Sequence, residues 1–119
     1  MAEVTVYASA ARTATPTAVV LNCQRARGLV VVIDATAITA TPSVVCTLDG
    51  FDVLSGKYFN ILTAAAVTAV STKVLKIAAG ITVAANLAVA DVVPESVRVL
   101  MTHGDADSIT YTVSAHLLR

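Results

Sequence analysis

Apolar and polar residues alternate with a period of two along much of this chain, the pattern of strands that bury one face. The clearest case is near the C-terminus, where Ile109, Tyr111, Val113 and Ala115 alternate with Thr110, Thr112 and Ser114. Just upstream, Val97, Val99 and Met101 alternate with Arg98, Leu100 and Thr102. Between the two lies His103-Gly104-Asp105-Ala106-Asp107, rich in turn formers and of hairpin length, which predicts that these strands are joined as a hairpin.

Earlier segments follow the same rule. Glu3 to Ala8 alternates, and Leu29 to Thr36 is a β-branched run apolar on both faces, which predicts a central strand covered on both sides. Thr39-Ala40-Thr41-Pro42-Ser43 breaks the pattern before a strand over Val44 to Phe51. Leu54-Ser55-Gly56-Lys57 turns the chain into Tyr58 to Leu62, and Thr72 to Ala78 forms another strand. Two stretches fit less well. Residues 9–24, rich in Thr and Ala around Pro16, predict an arm or loop with a short strand near Ala18 to Leu21. Residues 79–94 predict a long loop in which Ala84 to Val89 has the composition for one or two helical turns. The expectation is an all-β chain of one domain over 1–119, a two-sheet antiparallel β-sandwich of about seven to eight strands, with a barrel sharing the same local pattern. Thr-Ala-Thr-Pro occurs at 13–16 and again at 39–42 without matching flanks, so it is read as coincidence and not as a repeat.

Composition changes the picture in one respect. Hydrophobic residues make up 56% of the chain and charged residues 13%, against about 25% charged in an ordinary domain. Eight basic and eight acidic residues cancel. A β protein with so few charges has little to protect its sheet edges or keep copies apart, which predicts that neighbouring subunits cover part of its surface. The alternative is that abundant Ala and Val raise the apolar count without forming sticky patches. Nucleic-acid binding is not expected, because the bases form no stripe and Arg25 and Arg27 are the closest pair. A membrane span is not expected either. The charge-free stretch Ile77 to Ala90 is shorter than the roughly 20 apolar residues a span needs and is interrupted by Gly80, Thr82 and Asn86. The first residues carry no basic or apolar leader pattern. Cys23 and Cys46 lack metal-type spacing and are read as buried reduced thiols.

Candidate chemistry is thin. His103, Asp105 and Asp107 could mark a metal or acid–base site, but three groups fall short of a calcium shell, and Gly and Asp equally serve turn geometry. Asp49 and Asp52 could mimic paired carboxylates, yet they flank Gly50-Phe51 at a strand end. His116 lies at the end of the last strand, where a solvated or interface role is expected. No phosphate loop or nucleophile elbow is present, and three Tyr, two Phe and no Trp give no stacking platform for sugars or single strands. No catalytic, cofactor-binding or metal-ligating residue is assigned, and the chain is not read as an enzyme.

Four stretches resemble small virion proteins of tailed bacteriophages: Ser9 to Thr15, Arg27 to Asp34, Gly50 to Tyr58 and His103 to Tyr111. The likeness covers most of the chain as texture and order, without a chemical signature. It implies a capsid decoration (cement) protein of β-sandwich or jelly-roll type, made in the host cytoplasm and seated on the virion's capsid surface. Its implied partners are the major capsid protein and further copies of itself, with a trimer as the expected order. Ser9 to Val20 and Ile81 to Val93 are expected to supply contact surface, with Arg12, Pro16, Val83, Leu87 and Val89 as interface candidates. The alternatives are another morphogenetic part (tail tube, head–tail connector or head-fibre base) or, from a different class, a small ligand- or carbohydrate-binding β module.

Overall fold

The computed structural model describes residues 2–119. Nine strands follow one another: β1 (Ala2–Arg12), β2 (Val19–Asn22), β3 (Gly28–Ile38), β4 (Val44–Asp52), β5 (Lys57–Thr63), β6 (Ser71–Ala78), β7 (Ala88–Val89), β8 (Ser96–His103) and β9 (Ile109–Leu118). They form a five-stranded sheet in the order β1-β9-β3-β6-β7 and a four-stranded sheet in the order β2-β8-β4-β5. The sheets pack face to face, as the alternation predicts. All pairings are antiparallel except the two-residue β6–β7 contact. With β7 set aside, the first strand pairs with the last, the second with the next to last, and so inward to β4–β5. That nested connectivity is the jelly roll.

The interior is built from alternate residues of both sheets. Leu29, Val31 and Ile33 of β3, Val113, Ala115 and Leu117 of β9, and Leu75 and Ile77 of β6 face Val44, Cys46 and Leu48 of β4 and Val97, Val99 and Met101 of β8, all essentially inaccessible. Removing one such large side chain costs about 2–5 kcal/mol, so these positions fix which face of each strand turns inward.

Four expectations need correction. β8 and β9 are not a hairpin: they lie in different sheets, and the 104–108 segment crosses between them. Alternation reports which residues are buried but not which strand lies alongside. The crossing is held by another inter-sheet link, 39–43. Gly104 N donates to Ser43 O at 2.8 Å, Thr39 N donates to Ser108 O at 2.9 Å, and Asp107 Oδ2 accepts from Thr41 N and Oγ1 at 3.1 and 3.3 Å. The 9–24 stretch is not all arm, because β1 continues to Arg12 and pairs with β9 up to Ile109. Its alternation fades because register shifts fall between Thr5 and Tyr7 and between Tyr7 and Ala10.

Residues 84–89 form no helix. Lys76 N donates to Leu87 O at 2.9 Å, and Asn86, at φ 61°, donates from Nδ2 to Thr63 O at 2.9 Å. The segment thereby ties β6 of one sheet to β5 of the other, and these bonds outweigh the helical preference of Ala and Leu. Finally, β3 is central, between β9 and β6, but is covered on one side only: Val30 and Val32 lie half-buried on the outer face.

Gly50 marks a close approach. A Cβ there would lie 2.3 Å from Cζ of Phe59, whose ring lies over the glycine from the paired strand β5. Gly50→Ala is expected to lower stability by about 1–2 kcal/mol by displacing that ring. In the Phe59→Ala background the same change should cost less, and equal costs in urea unfolding of both backgrounds would refute the contact.

Candidate functional site

Three clusters stand out from the regular lattice. The first is polar and lies where β1 bulges away from β9. Between Tyr7 and Ala10 the ladder is broken, and Arg12 fills the break with its guanidinium. It donates to the carbonyls of Ala8 (2.7 Å), Ala10 (3.1 Å) and Tyr111 (3.0 Å). The same group lies over the rings of Tyr111 and Tyr7, with its carbon 4.6 and 5.5 Å from the centroids. Tyr7 donates its hydroxyl to Thr17 O at 2.7 Å, and the Tyr111 hydroxyl lies 3.0 Å from His103 Nε2. Thr15 Oγ1 accepts from His103 N at 2.9 Å. Arg12 is thus committed within its own chain as a plug for a bulge, where five donors in a planar fork serve better than an ammonium. Pro16 sits half-buried in the link this cluster holds.

The second cluster is on the outer face of the four-stranded sheet. Asp49 and Arg98 stand directly opposite on β4 and β8 and form an ion pair at 2.7 Å. Asn60 Nδ2 donates to the other Asp49 oxygen at 3.1 Å, and the Tyr58 ring lies 3.8 Å below the Arg98 guanidinium carbon. Asp49 is buried and its charge is matched. Sequence reading missed this group because it assembles from three strands whose order alternation does not reveal. The paired-carboxylate idea fails on the same geometry: Asp49 is taken by Arg98 and Asn60, while Asp52 caps its own turn, accepting from Leu54 N and Ser55 Oγ at 3.1 and 2.8 Å.

The third cluster is apolar and gathers at the end of the sandwich where β4, β6 and β9 finish. Val53 and Leu54, at the tip of the β4–β5 turn, are 76% and 97% exposed. Nearby segments form open apolar grooves that share Ala78, Ile81 and Leu118 and extend to Val92 in one direction and Val30 in the other. Val83 and Leu87 of the 79–94 loop are also exposed, whereas Val89 packs against the core. Leu87 lines a further open groove with Val74, Lys76 and Ile81 along the edge of β6, and Arg12 and Pro16 lie at the opposite end from the β4–β5 turn, where β1 finishes.

The two thiols and the Tyr111 hydroxyl are held neutral by burial. Burial pushes the Cys46 thiol up to about 12 and that of Cys23 up to about 11. A thiol held neutral is a poor nucleophile. Burial also raises the Tyr111 hydroxyl to about 12. In the 103–108 segment Asp105 Oδ1 accepts from Asp107 N at 3.1 Å and Asp107 binds Thr41, so both carboxylates shape the turn. His116 Nδ1 lies 3.6 Å from Glu3 on the neighbouring strand. Among the described residues no three His, Cys, Asp or Glu side chains converge as a metal site requires. Also among them, no helix is long and apolar enough to cross a membrane. No protein family, curated protein or solved structure matches the chain.

Two outcomes follow from the first cluster. Arg12→Ala should lower unfolding free energy by about 1–2 kcal/mol, because it removes the partly buried bond to Tyr111 O and the stacking on Tyr111 and Tyr7, and Arg12→Lys should recover only part. Equal stability of all three proteins in urea would refute the plug. His103 is held below its ordinary value, chiefly by burial, so the folded state prefers the neutral ring. As pH falls below about 6.5 the unfolded chain takes up this proton first. Wild-type stability should then drop relative to His103→Asn, and parallel pH profiles would contradict the assignment.

Proposed function

We propose that this chain is a structural protein of a bacteriophage virion, bound to the outside of the capsid and stabilising it by protein–protein contacts. The observation that carries this reading is the exposed apolar surface of the β4–β5 turn and the 79–94 loop, where Val53, Leu54, Val83, Leu87 and Val92 lie open and outside the core. Large apolar residues left exposed in this way mark contact surface. The reactive groups, by contrast, are paired, buried or spent on turns, and the open grooves are apolar rather than lined by convergent polar groups. Jelly rolls are common among viral capsid domains, an analogy of fold alone. The likeness of four sequence stretches to small phage virion proteins points the same way.

Such a protein acts by covering apolar area between shell subunits, worth about 25 cal/mol per Å² before the costs of association. Shell symmetry repeats a modest contact many times, so no single contact need be tight. The partners are then the major capsid protein and further copies of this chain.

The test is the protein content of purified particles. The chain should be present in numbers comparable to the shell subunits, and particles lacking it should lose their DNA at lower temperature. Absence from particles, or the few copies of a tail or connector ring, would overturn the reading.

A further inference from the structure

We propose that His103 is an acid-operated latch: on taking up a proton from solvent it frees the 13–18 link that joins β1 to β2. Residues 13–18 lie outside any strand. Among the described residues, two side-chain hydrogen bonds fasten them to the body: Thr15 Oγ1 accepts from His103 N at 2.9 Å, and Thr17 O accepts from the Tyr7 hydroxyl at 2.7 Å. The 39–43 and 104–108 crossings at the same end are tied to each other more heavily, through Ser43, Ser108 and Asp107. A segment held by few bonds opens locally before its neighbours do. One of the two fastenings is the backbone of His103 itself. The other is Tyr7, whose ring shares the Arg12 guanidinium with Tyr111.

The His103 ring lies against the sealed Tyr111 ring, 5.9 Å between centroids, with Nε2 3.0 Å from the Tyr111 hydroxyl. Nδ1 is buried and has no hydrogen-bond partner among the described residues. The neutral ring carries hydrogen on one nitrogen, so with Nε2 bound to Tyr111 as donor only an acceptor is left unpaired. The imidazolium carries hydrogen on both nitrogens. It leaves a charged N–H at Nδ1 without an acceptor, which costs more than a lost neutral bond. The surrounding charges do not remedy this. Burial acts most strongly on the ring, Asp105 in the following turn favours the proton and Arg12 opposes it, and the balance is against the charged form. Asp105 already accepts from Asp107 N, and Asp107 is bound to Thr41. Tyr7, Tyr111 and Cys46 all titrate above their ordinary values, so they are neutral in the acid range and supply no countercharge. Relief needs water at Nδ1, and displacing the link admits it for the loss of two bonds. With the link open the ring titrates near about 6.5, and with it closed the ring titrates lower. The open population therefore grows as pH falls below about 6.5, by at most about tenfold per pH unit for one proton.

Hydrogen exchange of the His103 amide, followed by NMR and corrected for the intrinsic effect of pH, reads the latch directly, because Thr15 protects that amide. Protection in the wild type should be level above about pH 6.5 and fall by up to about tenfold per pH unit below it. Low urea should leave this exchange unchanged, since opening the link uncovers little surface, while the amide of Val31 in the core is better protected and responds to urea. His103→Asn should show no acid-dependent loss. Thr15→Val, which cuts the fastening without touching the ring, should leave the His103 amide weakly protected already at neutral pH. The latch is overturned by level protection of the wild-type amide across the acid range, or by the same slope in His103→Asn. Exchange of His103 at the rate and urea dependence of Val31 would also overturn it, because the proton would then act only on global unfolding. So would full protection in Thr15→Val.

Discussion

Burial of alternate side chains between the two sheets is the interaction on which the rest of this structure depends. Each long strand gives its inward residues to one dry layer, and those of β3, β9, β4 and β8 are almost wholly sealed. That layer fixes the face of every strand and leaves the chain to solve two further problems with what remains: closing the open sides of the sandwich, and disposing of apolar residues that the layer cannot hold.

The sides are closed by local devices. At one side β1 is an edge strand with few charges, and its bulge with the Arg12 plug interrupts the flat ladder that a stray strand would extend. Its neighbour across the sandwich, β2, is only four residues long. At the other side the 79–94 segment ties β6 to β5 through Leu87 O and Asn86 Nδ2. These devices account for Arg12, Pro16 and Val89 within the fold. They do not account for Leu54, Val53 or Val92, which face outward at one end. The distinction matters for function, because residues already spent on the fold are poor indicators of partners.

Much of the fold was legible in the sequence. Period-two alternation located β8 and β9, the β-branched run located β3, and Gly and Pro clusters marked most turns. What alternation does not encode is partnership. Ser114 and Thr112 look the same whether β9 pairs with β8 or with β1 and β3, so the hairpin expectation failed although both strands were found. Ala84 to Val89 misled for a related reason: its helical preference is weak against hydrogen bonds to β5 and β6 that only the folded chain supplies. The candidate surface was half legible. Val83 and Leu87 stood out in a long apolar loop, while Leu54 was read only as part of a turn. Its signal was present, since a leucine is unexpected at a tip whose geometry Asp52 and Gly56 already provide.

The central claim is that neighbouring protein covers the apolar end of this jelly roll. Hydrogen exchange compared between the dilute chain and the assembled or particle-bound chain tests it most directly. The account predicts slowed exchange at residues 53–56 and 79–93 on assembly, with the amides of β3 and β9 unchanged because the core already protects them. Equal exchange of both segments in the two states would contradict it.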